Sequence, residues 1–114
     1  MNQLINLFKA LSDETRLRII MLLKHKSHCV CELTEILELS QPKISKHLTK
    51  LKALGLVSTK KDATFVYYYL DIDSKALNSV LETLNIHKNT FSQFVEDESR
   101  VATCTVRKDT HAWK

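Results

Sequence analysis

The spacing of apolar residues predicts that most of the chain is helical. Asn2 to Leu11 and Glu14 to about Lys24 each carry apolar residues at helical spacing, and Ser12 and Asp13 between them can cap the second helix. Cys31 to Leu37 is a third, shorter segment of the same kind. The first third of the chain is therefore predicted to form three consecutive helices.

A fourth helix is predicted between Ser40 and Gly55, because the residues that favour helix ends stand at both ends. Ser40 is a suitable N-cap, and Pro42, the only proline, falls in the first turn, where a missing N–H removes no hydrogen bond. Gly55, the only glycine, falls where a left-handed residue ends a helix. One face of this helix is apolar and suited to packing in a core, whereas the opposite face is basic and suited to binding an anion. The apolar face holds Ile44, Leu48 and Leu51, and the opposite face holds Lys43, Lys46 and Lys50.

The link between the third and fourth helices is only Glu38 to Ser40. Lysines on an isolated amphipathic helix are usually just solvated. Two short helices joined by about three residues, with the second one basic outside, are instead typical of a helix-turn-helix. We therefore predict that this pair binds DNA.

A β-hairpin is predicted after Gly55. Leu56 to Thr59 and Phe65 to Leu70 are rich in β-branched and aromatic residues. The connecting segment, Lys60 to Thr64, has no glycine, so we expect a tip longer than a two-residue turn. With Lys60 and Lys61 at this tip, the hairpin would form a wing that contacts phosphate.

The rest of the chain predicts one long helix and a tail. Apolar residues keep helical spacing from Ser74 to about Glu96, and this face exceeds what a small core requires. We expect it to form a homodimer surface with the first helix, which would place two recognition helices on DNA. The predicted fold is mainly α with a small β-hairpin: a winged helix-turn-helix domain over residues 1–98 and a C-terminal tail over residues 99–114.

Composition narrows the choice of partner and compartment. The 114 residues are 44% hydrophobic, enough for one domain with a modest core, and a net charge of +4 suits a polyanionic partner. No apolar run approaches the roughly 18 residues of a membrane span, and the N-terminus does not resemble a signal peptide. We predict a cytoplasmic protein that does not bind membranes. Its three cysteines are then more suited to a metal site or a redox sensor than to structural disulfides.

Cys29 and Cys31 form a C-x-C pair just before the helix-turn-helix. Residues i and i+2 of a regular helix point roughly 200° apart, so the two thiols can share one ion only from an extended or frayed helix start. Thiolates are preferred ligands of soft ions. The alternative is that these cysteines are structural, because buried cysteine is common.

Four segments in fixed order, LFKALSDETRLRIIMLL, CVCEL, LSQPKISKHLTKLKALGLV and VYYYL, resemble the arsenic-repressor (ArsR) family of winged-helix regulators over about residues 4 to 95. The resemblance implies a homodimer that leaves a palindromic operator when a metal or metalloid ion binds. By motif it assigns DNA contacts to the fourth helix and the wing. With Lys50 added from the basic face, the predicted DNA-binding residues are Gln41, Lys43, Ser45, Lys46, His47, Lys50, Lys60 and Lys61.

The CVCEL segment resembles the thiol site of arsenic- and antimony-responsive members, and of some cadmium- or lead-responsive ones. The resemblance implies that Cys29 and Cys31 are ligands of As(III) or Sb(III), with Cd(II) or Pb(II) as alternative ions. Thr34 stands where such repressors often have a third cysteine. Since trivalent arsenic takes three thiolates, Cys104 is the predicted third ligand, from the same subunit or its partner.

The family's zinc site on the last helix is matched only in part, by Asp71, Asp73 and His87, and Leu84 stands where a ligand is required, so we expect that site to be absent.

The predicted function is therefore a metalloid-responsive repressor and not an enzyme. One alternative is the same DNA-binding fold responding to thiol oxidation. A second is thiol-exchange catalysis, but there is no C-x-x-C beside a βαβ pattern and no Gly-rich loop. A third is a constitutive DNA-binding or scaffold protein whose cysteines are inert.

Overall fold

The computed structural model describes residues 1–104, and this part of the chain consists of α-helices and a small antiparallel sheet. The mainly helical winged helix-turn-helix prediction is confirmed. No helix among these residues is long and apolar enough to cross a membrane. The elements are α1 (Asn2–Leu11), α2 (Glu14–His25), β1 (His28–Cys29), α3 (Val30–Leu37), α4 (Gln41–Ala53), β2 (Val57–Asp62), β3 (Phe65–Leu70), α5 (Lys75–Ile86) and α6 (Ser92–Thr103).

The helix-turn-helix consists of α3 and α4, and both ends of α4 are fixed by its own sequence. The Ser40 side chain accepts a hydrogen bond from the Lys43 backbone N–H, as its N-cap position predicts. At the other end Gly55 has φ +78°, and its N–H donates to the Lys52 carbonyl. The Leu56 N–H donates to the Leu51 carbonyl, which completes a Schellman motif.

The core contains side chains from α1, α2, the helix-turn-helix, the sheet and α5. Its α4 residues are the three that the helical spacing predicted. The N-cap Asp13 starts α2 by accepting from the Arg16 N–H, and this hydrogen bond lowers the pKa of Asp13. The fully buried core side chains include Leu7, Ile19, Ile20, Leu33, Ile36, Ile44, Leu48, Leu51, Leu56 and Leu81.

The wing differs from the prediction at its tip. Asp62 and Phe65 pair across β2 and β3, so only Ala63 and Thr64 form the turn, and the expected longer connection is wrong. Ala63 adopts φ +56°, the left-handed conformation that a tight hairpin turn requires, although it is not glycine. Lys60 and Lys61 consequently belong to strand β2 and not to the tip.

The sheet has a third strand that the periodicity did not indicate. The two residues of β1 pair antiparallel with β3, which places His28 opposite Tyr68 and Cys29 opposite Tyr67. The strand order is β1-β3-β2. The wing sheet is thus continuous with the chain that leads into α3.

The predicted single helix from Ser74 to Glu96 is also wrong. It is interrupted after α5 at His87, followed by a 3₁₀ turn over Lys88–Thr90 and an extended residue, Phe91. The interruption lets α6 pack on α2 and α3, where Asp97 pairs with buried Arg18. Helix α6 runs past the predicted boundary at residue 98, and the part of the predicted tail from 105 to 114 lies outside the described residues.

Candidate functional site

The two thiols of the C-x-C pair lie side by side at the start of α3. Cys29 has φ −86° and ψ 168°, so it is extended and precedes the helix as its N-cap, whereas Cys31 is in the first turn. This break in regular geometry brings the two Sγ atoms to 2.8 Å. Cys29 is 3% exposed and Cys31 is exposed. The pair can therefore act as one bidentate thiol site, as the spacing required.

A buried carboxylate fixes the position of Cys29. Glu32 accepts from the Cys29 backbone N–H at 3.3 Å, and the Cys29 sulfur accepts from the Glu32 N–H, which forms a capping box. The same Glu32 oxygen lies 2.9 Å from Nδ1 of His28, and both side chains are almost fully buried. Sequence reasoning missed this pair, although the spacing C-x-x-E at a helix start indicates a capping box.

Burial raises the pKa of Cys29 to about 12, and its hydrogen bond with Cys31 acts in the same direction. The hydrogen bond from the Glu32 backbone opposes both effects. Without a bound ion, Cys29 is therefore a protonated thiol at neutral pH. A thiophilic ligand must displace this proton before a bond to sulfur forms.

The thiol pair opens into a groove of about 560 Å³ between the helix-turn-helix and the wing. We call it the thiol groove. Its walls come from the start of α3, the N-terminus of α4 and strand β3. They include Cys29, Cys31, Glu35, Gln41, Phe65 and Val66. The predicted DNA-binding residue Gln41 and two of the three predicted ligands, Cys29 and Cys31, thus line the same groove.

Cys104, the predicted third ligand, contacts Glu35 and is not among the residues that line the thiol groove. It ends α6 and is half-buried, and its thiol donates to the Glu35 carboxylate at 3.6 Å. Glu35 is one helical turn beyond Cys31 and lines the thiol groove. Within residues 1–104 no three His, Cys, Asp or Glu side chains lie close enough together to hold one ion. The assignment of Cys104 as a ligand stays a prediction.

The predicted DNA-binding residues divide into an exposed group and a half-buried group. Ser45 is half-buried, and so is His47, whose Nδ1 lies 3.9 Å from the Asp13 carboxylate at the start of α2. Burial lowers the pKa of His47, although Asp13 opposes the effect, so the imidazole is neutral at pH 7. The exposed group is Gln41, Lys43, Lys46, Lys50, Lys60 and Lys61.

The two wing lysines do not present one surface. Neighbouring residues of a strand point to opposite faces, so Lys60 and Lys61 lie on different sides of β2. Lys52, which the sequence analysis did not select, is exposed at the end of α4, and its amine donates to the Thr59 hydroxyl of β2 at 3.4 Å. It joins the recognition helix to the wing.

Two arginines connect α6 and α2 to the end of α3, and sequence reasoning missed both contacts. Arg18 forms a two-pronged pair with Asp97 at 2.8 and 2.9 Å and also donates to the Leu37 carbonyl. Arg100 donates to the Ile36 carbonyl. These carbonyls have no partner within the helix, so α6 helps to cap the first helix of the helix-turn-helix.

The chain is similar in sequence to a family of bacterial regulatory proteins. A model of the family described as bacterial regulatory protein, arsR family, matches residues 13–59. The arsenic resistance transcriptional regulator ArsR2 of Pseudomonas putida is 38% identical over 95 residues, which cover 82% of this chain and 81% of that protein. ArsR1 of the same species is 48% identical over 64 residues, 55% of this chain and 50% of that protein.

Two further similarities concern a cadmium regulator and a solved structure. The cadmium resistance transcriptional regulatory protein CadC of Listeria innocua is 45% identical over 64 residues, 55% of this chain and 54% of that protein. The matched segments thus span only about half the length of several relatives. Reduced HlyU from Vibrio cholerae superposes with a TM-score of 0.64 at 39% identity, covering 72% of this chain and 84% of that chain.

Proposed function

Because the chain belongs to the arsR family of bacterial regulatory proteins, we propose that it is a transcriptional repressor controlled by a metalloid. It binds operator DNA as a homodimer through α4 and the wing. It leaves the operator when As(III) or Sb(III) binds Cys29 and Cys31, with Cys104 as the third thiol ligand. The similarity to the arsenic resistance regulators ArsR1 and ArsR2 supports this choice of effector.

One observation carries the proposal: the two sulfurs lie 2.8 Å apart on the same groove as Gln41. A soft ion with an affinity for sulfur fits this donor set better than a hard ion, which prefers oxygen. The Cys104 thiol contacts Glu35, which lines the groove, so a rotation of its side chain and the end of α6 would bring the third sulfur closer to the pair.

The coupling between the sites follows from what holds Cys29 in place. Its side chain caps α3, and its backbone pairs with Tyr67 in the wing sheet. Drawing its sulfur toward a shared ion competes with the cap and moves the start of α3 relative to the wing. Helix α4 follows after a link of three residues, so its angle to DNA changes. A coupling of about 1–3 kcal/mol would weaken operator binding roughly 5–150-fold.

Exposed apolar side chains on α1 and on the segment from the end of α5 to α6 support the proposed homodimer. Ile5 and Phe8 of α1 are 47% and 52% exposed, and Ile86, Phe91 and Val95 of the last segment are similarly exposed. Burying such residues against a second copy would remove a large apolar surface from water. A two-fold dimer also presents two copies of α4 to a palindromic site.

A titration of operator binding tests the proposal. Arsenite, antimonite, cadmium and lead are added to the protein–operator complex, and DNA release is followed by fluorescence anisotropy. Arsenite or antimonite should release wild-type protein but not Cys29→Ser. The Cys104→Ser variant should lose most of the response to arsenite. If none of the four ions releases DNA, the metalloid-sensing part of the proposal is wrong.

Two alternative effectors have specific support. The similarity to CadC favours cadmium, for which Pb(II) is a related candidate, and the same titration distinguishes them from arsenite. The contact between the two sulfurs favours a response to thiol oxidation. In that case peroxide or a polysulfide, in place of a metalloid, would release the operator, and dithiothreitol would restore binding.

A further inference from the structure

We propose that Arg100 of α6 is a positioning residue for DNA binding, because its guanidinium holds the turn between α3 and α4 in the arrangement that presents the recognition helix. This inference rests on the proposed function in one respect, the binding of operator DNA by α4. It goes beyond that function by assigning a role to a residue outside the thiol groove, the recognition helix and the wing.

The turn of the helix-turn-helix is short and contains a left-handed residue. Only Glu38, Leu39 and Ser40 separate α3 from α4, and Ser40 is already the N-cap of α4. Glu38 has φ 57° and ψ 45°, a conformation that is unfavourable for a residue with a side chain. Such a conformation persists where the surrounding contacts enforce it. The direction of α4 therefore depends on the contacts that hold the end of α3.

Two arginines hold this end, and α6 supplies one of them. Nη1 of Arg100 donates to the Ile36 carbonyl at 3.2 Å, and Nη2 lies 3.4 Å from the Glu38 carboxylate. Arg18 of α2 donates to the next carbonyl, that of Leu37, at 3.3 Å. Both carbonyls belong to the last turn of α3, where the helix dipole favours a positive charge. The Arg100 guanidinium thus contacts both the end of α3 and the first residue of the turn.

The Arg100 guanidinium is itself held in place by carboxylates of its own helix. It pairs with Glu96, one turn earlier in α6. Its Nη1 also lies 3.9 Å from the Asp97 carboxylate, which binds Arg18. The Arg100 side chain is only 23% exposed. Helix α6 therefore presents a pre-arranged donor to the end of α3.

The contact with the Ile36 carbonyl is the one that should affect DNA binding. The Glu38 side chain is 67% exposed, and an ion pair in water contributes little. A hydrogen bond from a charged donor is stronger, and this one joins residues 64 positions apart in the sequence. Without it the turn would adopt several arrangements, and the protein would have to order the turn when it binds DNA. Operator binding would then be weaker, although the final contacts with DNA would be the same.

The first test compares two variants of the full chain that lose the same charge, Arg100→Met and Lys88→Met. Lys88 bonds to Glu98 and His25, so its replacement leaves the contact between Arg100 and α3 in place. Fluorescence anisotropy without effector should show operator binding weakened roughly three- to tenfold in Arg100→Met. Lys88→Met should change it by less than about twofold. Unchanged binding in Arg100→Met, or an equal loss in both variants, would overturn the inference.

The salt dependence of binding separates positioning from a direct contact with phosphate. The slope of log K against log salt should be the same in wild type and Arg100→Met, because the bound complexes make the same phosphate contacts. A smaller slope in Arg100→Met would mean that Arg100 contacts DNA itself and would overturn the positioning role. Arg100→Lys keeps the charge and one donor group, so its affinity should lie between those of wild type and Arg100→Met. An affinity no higher than that of Arg100→Met would also contradict the inference.

Hydrogen exchange followed by mass spectrometry tests the turn itself. The Glu38 N–H donates to the Thr34 carbonyl and reports on the end of α3. Exchange in the peptide that covers residues 34–41 should be faster in Arg100→Met than in wild type, and unchanged in Lys88→Met. Weaker operator binding without faster exchange in this peptide would show that Arg100 does not act through the turn.

The two proposals fail in different ways. If the wild-type protein binds no operator, the proposed function is wrong. If wild type binds the operator and arsenite releases it, but Arg100→Met binds DNA and exchanges hydrogen as wild type does, only the further inference is wrong.

Discussion

Cys29 pairs with Tyr67 across β1 and β3, and the same Cys29 caps helix α3. The residue proposed to bind the effector is thus held by the wing sheet and by the first helix of the helix-turn-helix at once. Cys29 is buried and Cys31 is exposed, and both line the thiol groove. A change at this one residue can reach both DNA-binding elements.

The first prediction separates the two roles of Cys29. Serine is a good N-cap and alanine a poor one, so Cys29→Ala should lower the free energy of unfolding by about 0.5–2 kcal/mol more than Cys29→Ser. Both variants should lose metalloid binding, because neither has a thiol. Urea denaturation and native mass spectrometry measure the two effects. Equal stability of the two variants would show that the cap is unimportant.

The second prediction concerns thiol reactivity. At pH 8 iodoacetamide should modify exposed Cys31 well before Cys29, because burial keeps Cys29 protonated with a pKa of about 12. Peptide mapping by mass spectrometry at successive times gives the order. Denaturant should remove the difference. Equal rates in the folded protein would contradict the burial of Cys29.

The same raised pKa predicts a loss of stability at alkaline pH. Cys29 ionises near its ordinary pKa of 9.0 when the chain is unfolded but only near 12 when it is folded. Its contribution is therefore fully present below pH 9 and is lost as the pH rises toward 12. Between pH 9 and pH 12 the free energy of unfolding, measured by chemical denaturation, should fall more steeply with pH for wild type than for Cys29→Ser, which lacks this thiol.

The third prediction tests the contact between α6 and α2. Asp97→Ala leaves buried Arg18 without its counter-ion and should lower the free energy of unfolding by about 3–5 kcal/mol. The control is Glu82→Ala, which removes a partly exposed pair with Lys24 and should cost less than about 1 kcal/mol. Thermal denaturation of both variants makes the comparison. Similar losses would mean that the buried pair does not anchor α6.

The fourth prediction concerns DNA binding. Lys46 is exposed on the recognition helix, so Lys46→Ala should weaken operator binding and reduce the magnitude of the slope of log K against log salt by about 0.9 per subunit. Lys75→Ala changes an equally exposed lysine at the start of α5 and serves as the control. A slope that falls equally in both variants would indicate a general charge effect and no phosphate contact by Lys46.

The fifth prediction uses the two left-handed residues beside the wing. Gly55 has φ +78° and no atom within 4 Å of an added Cβ, so Gly55→Ala costs only backbone strain, about 1–2 kcal/mol. Ala63 already has φ +56°, so Ala63→Gly should relieve strain and stabilise the protein by up to about 1 kcal/mol. Chemical denaturation should give changes of opposite sign, and a stabilising Gly55→Ala would refute the strain argument.

The family and the class of protein were predictable because they depend on ordered local motifs. The resemblance to ArsR regulators is confirmed by the family model and by the relative that covers most of the chain. These relatives are transcriptional regulators, which confirms the prediction of a regulator and not an enzyme. The effector, the ligand residues and the DNA contacts remain predictions.

The sequence alone determined the helix-turn-helix, because caps and amphipathic spacing act within a few residues. Ser40, Pro42 and Gly55 define α4 by local hydrogen bonds and backbone preference. Only the tertiary structure decided where α6 lies, since Arg18 and Asp97 are 79 positions apart and their pairing outweighs the helical pattern across His87. Likewise β1 exists because β3 offers it a partner, and that distant pairing gives Cys29 the extended backbone that unites the two sulfurs.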